Sequence, residues 1–550
     1  MSGQKPSGQI RIIVAQVASR LGEVYANCTC ACELIAQARN WNADLIVFPE
    51  LFLLGYPPED LLFAPDLPAR LRDAEATLAQ ASAATAQDNG IDIIIGAPSF
   101  SNGCVYNSAL YFANGALVHR YNKQELPNYG VFDERRYFTS GEDAVVINYG
   151  GKRVMLQVCE DSWREQAASH VRMARPDLVI TINASPFEYN KLSARRALIS
   201  GLAMQTGAAW LYVNLYGAQD DLIFDGASFC VDKNGSICGQ AREMAAQLWM
   251  LDFEDGLWPE AELLPALEEP SRIFQAIALA TSNYVRASGA GQVLLGLSGG
   301  IDSALCLALA VAALGSEQVT AVIMPYIHTR DISLADARKQ AKNLGVKSIE
   351  LPIHQAVEGV VASLGKSIDW NSASGKLALE NIQARCRANL LMALANAQGA
   401  LVLATSNKSE LAMGYGTLYG DMAGAYALLK DLDKQTIYRL ARWCNRNQEL
   451  IVKRIIEREP SAELAPNQLD SDHLPDYELL DHMVRGYIEQ RQSGQALTHA
   501  ASAELVARTL TTIDRNEYKR RQAPLGPKIT QLAFGRDRRM PVTNHWQHRI

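Results

Sequence analysis

The sequence predicts an α/β protein built in two halves. Three observations carry that reading. Strand-length apolar runs recur through the first half, at Ile10–Val17, Leu45–Phe48, Ile91–Gly96, Val154–Val158, Leu178–Asn183 and Trp210–Asn214, with Ala-rich helical stretches between several of them. A second series follows at Gln292–Leu297, Val319–Pro325, Ser348–Ile353 and Leu401–Thr405. These runs are nearly continuous in apolar residues, as parallel strands buried on both faces are. Between the two series, Asp252–Pro270 breaks the pattern with three prolines and a cluster of acidic side chains, which reads as a linker.

The organisation expected is therefore a first domain over residues 1–252, a linker over 253–270 and a second domain over 271–550. Helices are expected over Ala69–Gln87, Leu192–Gly207 and Ala304–Leu314, and a further helix starts at Ser271 with Ile273, Ile277 and Leu279 on its apolar face. Residues 455–480 read as loop-rich and acidic, and 514–550 as a basic tail with prolines.

Length and composition bound the function. At 550 residues the chain exceeds one ordinary core, and 48% hydrophobic with 20% charged residues is ordinary for a globular protein. The balance of 52 basic and 59 acidic residues gives a net charge of −7, which argues against a nucleic-acid partner. No apolar stretch approaches the roughly 20 residues of a membrane span. Met1–Gln9 is polar and carries no signal-peptide core. The ten cysteines follow no framework spacing, so reduced thiols and a cytoplasmic location are expected. Cys28, Cys30 and Cys32 sit two apart in a helical stretch, where such residues do not share a face, so no metal cluster is expected there.

The sharpest local signal is Gly296-Leu297-Ser298-Gly299-Gly300-Ile301-Asp302-Ser303, between a strand and a helix. The glycines let backbone approach a ligand, and the helix start points amides at an anion. Ser298 and Ser303 add hydroxyls. The loop is not a Walker A motif, because no Lys precedes Ser303. Asp302 would repel a bare phosphate and makes sense if a divalent cation bridges the two.

In the first half, three strand or loop ends carry chemistry: Glu50 in Phe48-Pro-Glu, Lys123 opening Lys-Gln-Glu-Leu-Pro-Asn-Tyr-Gly-Val-Phe-Asp-Glu134, and Cys159 in Val158-Cys-Glu-Asp. A carboxylate can take a thiol proton and return it to a leaving amine. A lysine can hold an oxyanion, with the amide of Glu160 as a second donor. A thiol beside a lysine is expected to have a lowered pKa.

These residues carry two resemblances. Ser298-Gly-Gly-Ile-Asp-Ser303 resembles the pyrophosphatase loop of the N-type ATP-pyrophosphatases. With Glu380-Asn-Ile-Gln-Ala-Arg385 opening a helix, Ala404-Thr-Ser-Asn-Lys-Ser-Glu410, Gly414-Tyr-Gly-Thr-Leu-Tyr-Gly-Asp421, Leu428-Leu-Lys-Asp-Leu-Asp-Lys434 and Asn516-Glu-Tyr-Lys-Arg-Arg-Gln522, the second half resembles the NAD synthetases. The Glu50, Lys123 and Cys159 set resembles the triad of the nitrilase superfamily.

The resemblances imply a nitrilase-like α-β-β-α sandwich followed by a Rossmann-like parallel α/β domain. They imply hydrolysis of glutamine to ammonia in the first half. In the second, ATP adenylates deamido-NAD and ammonia then displaces AMP. Residue by residue, Gly296 to Ser303, Thr405 and Lys434 are implied for ATP; Asn381, Glu410 and Lys519 for deamido-NAD; Asp302 and Glu410 for Mg2+; Tyr129, Ser185 and Lys191 for glutamine. Glu134 is a fourth acidic candidate beside the triad, and a homo-oligomer is implied.

Bland readings stand beside these. Lys191 and Lys434 could be solvated lysines, and Lys519 lies in a basic run with Arg520 and Arg521. The segment Pro325-Tyr-Ile-His-Thr-Arg-Asp331 departs from the family's Ser/Tyr-rich pattern. Two rival functions remain: another glutamine-dependent amidotransferase adenylating a different carboxylate or carbonyl, and an ammonia-dependent synthetase with a non-catalytic first half.

Overall fold

The computed structural model describes residues 9–84, 90–259, 263–466, 468–472, 474–548 and 550. Nearly all of the polar N-terminal stretch and the end of the helix expected over 69–87 lie outside them. The chain divides into two compact units, residues 1–267 and 268–550.

In the first unit, two six-stranded sheets pack face to face. One runs, in spatial order, Gln247–Phe253, Ile10–Gln16, Leu45–Val47, Asp92–Ser101, Cys104–Ala113 and Ala116–Asn122. The other runs Ile237–Gln240, Phe229–Val231, Ala209–Asn214, Leu178–Asn183, Lys152–Val158 and Val146–Tyr149. Strand alternation assigns the layers. Ile12 and Val14 join Leu45, Val47, Val158, Ile180 and Val213 in the core between the sheets. Ile13 and Ala15 face Val24, Cys28, Ile35 and Leu71 of the helices Val24–Asn40 and Leu67–Ser82. Val179, Trp210 and Tyr212 face the helices Ala167–Ala174 and Lys191–Thr206. The result is the helix–sheet–sheet–helix order that the nitrilase resemblance implies.

The second unit holds a parallel sheet in the order Lys347–Glu350, Val319–Ile323, Val293–Gly296, Leu401–Ala404 and Tyr426–Ala427. Val293–Gly296 and Leu401–Ala404 are neighbours from which the chain leaves in opposite directions, a switch point that opens a crevice at the strands' carboxyl ends. Helices Lys408–Met413, Tyr477–Val484 and Ala503–Arg515 close a separate apolar cluster around Leu411, Met483, Val506 and Leu510.

The structure differs from expectation in several places. The linker expected over 253–270 begins inside a strand, and the following residues fold onto the first unit: Trp258 is buried and its Nε1 donates to the carbonyl of Val231 at 3.0 Å. Glu380–Arg385 does not open a helix but lies inside Ala373–Gln398, whose cap is Ser372, accepting from the amide of Gly375 at 3.0 Å. The strands Cys104–Ala113 and Ala116–Asn122 were not expected. The second is an edge strand with mostly exposed, polar positions, so its apolar signal is weak. The Cys28–Cys32 stretch is helical, and no metal cluster of three or more His, Cys, Asp or Glu occurs among the described residues.

Two glycines make opposite predictions. A Cβ on Gly96 would lie 2.3 Å from the Leu51 amide nitrogen and 2.6 Å from the Glu50 carbonyl carbon. Gly201, inside a helix, has nothing within 4 Å. We expect Gly96→Ala to destabilise the first unit by about 1–3 kcal/mol and Gly201→Ala to stabilise it by about 0.4–1 kcal/mol, read by urea unfolding.

Candidate active sites

In the first unit, Glu50, Lys123 and Cys159 each lie just past a strand, after Leu45–Val47, Ala116–Asn122 and Lys152–Val158. All three are buried. Lys123 Nζ donates to Glu50 Oε1 at 2.7 Å and to Glu134 Oε1 at 2.8 Å. Asn107 Nδ2 and the amide of Ala184 each donate to Glu50, both at 2.7 Å, and the Tyr56 hydroxyl donates to Glu134 at 2.8 Å. An ammonium has three N–H groups. With two spent on carboxylates, one is left for a developing oxyanion.

Cys159 opens the 3₁₀ turn Cys159–Ser162 with φ 45°, a left-handed conformation that non-glycine residues adopt at a cost. Asp161, two residues on, fastens this turn to the lysine loop. It accepts from the amides of Gln124, Glu125 and Val158 at 3.0, 2.9 and 2.9 Å, and from the Tyr121 hydroxyl at 2.7 Å.

The expected lowering of the Cys159 pKa is not what the structure gives. Burial pushes the thiol well above its ordinary value, and Glu50 pushes the same way, against the pull of Lys123. The cysteine rests protonated and needs a base. Burial works against the Lys123 charge too, but Glu134 and Glu50 outweigh it and hold its pKa well above the usual range. Burial raises Glu134 to about 7 against the pull of Lys123, with Glu50 adding to the rise.

The glutamine candidates gather at the same place. The amide of Ser185 donates to Asn214 Oδ1 at 3.0 Å, next to the Ala184 amide that holds Glu50. The Tyr129 hydroxyl donates to both oxygens of Glu160, at 3.0 and 3.1 Å, and Tyr129 is 56% exposed. Lys191 Nζ lies 4.9 Å from the Trp163 ring centre.

In the second unit a cavity of about 580 Å³ opens at the switch point. Gly296, Leu297, Ser298, Gly300, Ile301, Asp302, Ser303, Thr405, Lys434, Asn381, Glu410 and Lys519 line it. Gly299 is not on the wall. Its φ of +83° carries the loop past Ser333, whose carbonyl oxygen would lie 2.3 Å from a Cβ there. Ser303 Oγ accepts from the amide of Ser298 at 3.2 Å, and Ser298 Oγ from that of Gly300 at 3.2 Å, which fixes the loop against the start of helix Ile301–Leu314.

Lys434 Nζ donates to Asp302 Oδ2 at 2.7 Å and to Glu410 Oε1 at 3.4 Å. Asn407 caps the helix Lys408–Met413 by accepting from the Glu410 amide at 2.9 Å, and its Nδ2 donates to Asp302 at 2.9 Å. Burial raises Glu410 to about 8, with Asp302 adding to it against Lys434. Two carboxylates that share one lysine nitrogen are oxygen donors of the kind a divalent cation takes. Asn381 Oδ1 accepts from Thr417 Oγ1 at 2.7 Å, and Lys519 Nζ donates to the carbonyls of Gly414 and Gly416 at 2.7 and 2.8 Å.

Sequence reading missed several neighbours. Arg330 pairs with Glu463 at 2.7 Å, and Arg458 donates to the Gly299 carbonyl at 2.7 Å. Both arginines line the cavity, as does Asp470. Glu463, Arg458 and Asp470 come from the loop-rich segment, where no periodicity marks them.

Comparison with known proteins agrees with this division. Residues 8–255 match the carbon-nitrogen hydrolase family and residues 273–523 the NAD synthase family. The glutamine-dependent NAD(+) synthetase of Acinetobacter baylyi is 40% identical over 98% of this chain and 99% of its own length. That of Thermotoga maritima is 37% identical over 98% and 99%. The solved structure of the Acinetobacter baumannii glutamine-dependent NAD+ synthetase with adenosine diphosphate aligns with a TM-score of 0.79 at 39% identity, covering 98% of this chain and all of that one. Fold and matches together define a ligase that carries its own amide hydrolase. The chain belongs to the glutamine-dependent NAD(+) synthetase family.

The buried carboxyl cluster makes a pH prediction. Because the folded state raises Glu134, folding takes up a proton that the unfolded chain releases. The stability this proton contributes is complete below the ordinary glutamate pKa and lost as pH rises through about 7. We expect the first unit of the wild type to lose about 1–3 kcal/mol relative to Glu134→Gln over that window, measured by urea unfolding at each pH. A difference independent of pH would count against it.

Proposed function

We propose that this chain amidates deamido-NAD to NAD with ATP and with ammonia drawn from glutamine, releasing AMP, pyrophosphate and glutamate. The observation that carries the reading is the buried Lys123, bonded to both Glu50 and Glu134 beside the Cys159 thiol.

Glutamine hydrolysis follows from that geometry. Glu50 takes the thiol proton as Cys159 Sγ attacks the side-chain amide carbon of glutamine. The free N–H of Lys123 and the amide of Glu160 hold the oxyanion. The carbon–nitrogen bond breaks, Glu50 returns its proton to the leaving nitrogen, and ammonia departs from a thioester. Water, deprotonated by Glu50, then cleaves the thioester to glutamate and restores the thiol. Ser185, Tyr129 and Lys191 seat the amino-acid end of glutamine.

In the second unit the loop from Gly296 to Ser303, with Thr405 and Lys434, takes ATP. Asn381, Glu410 and Lys519 take deamido-NAD. Its nicotinate carboxylate oxygen attacks the α-phosphorus and pyrophosphate leaves. Ammonia attacks the resulting acyl carbon, AMP leaves with the oxygen, and the amide of NAD remains. Asp302 and Glu410 would hold Mg2+, which neutralises phosphate charge when bound. Lys434 keeps the two carboxylates paired otherwise. We also infer a homo-oligomer and a cytoplasmic location. The ten cysteines are all free, and no helix among the described residues is long and apolar enough to cross a membrane.

Two outcomes test this. With ATP, Mg2+ and deamido-NAD, Cys159→Ala should lose glutamine-dependent NAD formation by about 10³-fold or more while ammonium-dependent formation stays within about twofold of wild type. Loss of both, or of neither, would overturn the assignment of the two halves. Glu410→Gln should raise the Mg2+ needed for half-maximal ammonium-dependent synthesis by about tenfold or more.

A further inference from the structure

One buried ion pair beside the first site has no part in the steps above. Arg195, one turn past Lys191 in the helix Lys191–Thr206, is fully buried. Three of its hydrogen bonds go to a single short segment. Nε donates to Ser185 Oγ at 3.1 Å, and Nη2 donates to the carbonyls of Ser185 at 2.7 Å and Pro186 at 2.9 Å. Nη1 donates to both oxygens of buried Asp225, at 2.7 and 3.0 Å. Asp225 also accepts from Asn214 Nδ2 at 3.2 Å, and Asn214 Oδ1 accepts from the Ser185 amide at 3.0 Å. The residue before Ser185 supplies the amide that holds Glu50 Oε2 at 2.7 Å.

We propose that Arg195, held by Asp225, is a positioning residue that fixes residues 184–186 and so sets both the base Glu50 and the hydroxyl of Ser185 for glutamine. The inference rests on Ser185 belonging to the glutamine seat. The Ser185 oxygen accepts from Arg195 with one of its two lone pairs, which fixes where the hydroxyl lies.

A solely structural role is the rival. A buried ion pair is often replaceable by apolar packing without loss of stability. What distinguishes this one is that three bonds from one guanidinium converge on a segment bonded to the base. A shift of about 1 Å in such a support costs about 10²-fold in rate.

The test uses the full chain with ATP, Mg2+ and deamido-NAD, comparing glutamine with ammonium. Arg195→Met should lower kcat/KM for glutamine by about 10²-fold, with KM raised and kcat lowered together, because seat and base both move. Arg195→Lys should recover part of the loss, and Asp225→Asn should lose about tenfold. Ammonium-dependent rates should stay within about twofold of wild type. Iodoacetamide labelling read by mass reports folding, since an unfolded first unit exposes its cysteines together. A fall in kcat alone with KM unmoved, or collapse of all three variants to global labelling, assigns Arg195 a structural role and overturns the proposal. Cys159→Ala separates the two levels. If it keeps glutamine use, the site reading itself fails. If it loses glutamine use while the Arg195 and Asp225 variants match wild type, only the positioning role fails.

Discussion

Each unit is organised around one buried lysine shared by two carboxylates. Lys123 lies between Glu50 and Glu134, and Lys434 between Asp302 and Glu410. The arrangement is costly in isolation, because three ionisable groups leave water and at most two charges cancel. It is held by what surrounds it. The amide of Ala184 and the side chain of Asn107 satisfy Glu50, and Tyr56 satisfies one oxygen of Glu134. Asn407 holds Asp302. Burial, with the second carboxylate adding to it, leaves a protonation bias, Glu134 being raised to about 7 and Glu410 to about 8. A site built this way gains when a further positive centre or a proton arrives.

The scaffold makes these clusters by ending strands at one place. Glu50, Lys123 and Cys159 come from three strands of two different sheets, and Asn183 and Asn214 close the same end. In the second unit the glycine loop and Thr405 follow adjacent strands at the switch point. Regular structure thus fixes the origins of the loops, and short polar links fix their tips. Asp161 does this for the cysteine and lysine loops, and Arg195 with Asp225 does it for the segment beside Glu50.

Much of this was legible in the sequence. Leu178–Asn183 is a strand with the bounds its apolar run predicts, and the helix expected over Leu192–Gly207 spans Lys191–Thr206. The glycine loop read as an anion cradle stands at the start of helix Ile301–Leu314. What was not legible had weak local signal or depended on distant partners. Ala116–Asn122 is an exposed edge strand, and Trp258 lies in a proline-broken stretch whose partner strand is 27 residues away. Arg195 carries no motif, because its meaning comes from Asp225, 30 residues later. Glu463 and Arg458 fall in a stretch that composition marks only as loop.

The state of Cys159 shows why local charge was a poor guide. A lysine nearby argues for a thiolate, but that argument holds in water-rich surroundings. Here burial is the larger effect, and Glu50 adds a negative charge to it. Lys123 cannot offset both, since its own charge is already shared by two carboxylates. The thiol of the resting protein therefore keeps its proton. In the reaction proposed above, proton transfer to Glu50 and attack on carbon would then be one coupled event rather than the work of a thiolate waiting for a target. A buried protonated thiol is also a poor target for oxidants, which attack thiolates. The same burial that raises the thiol thus also shields it from oxidation.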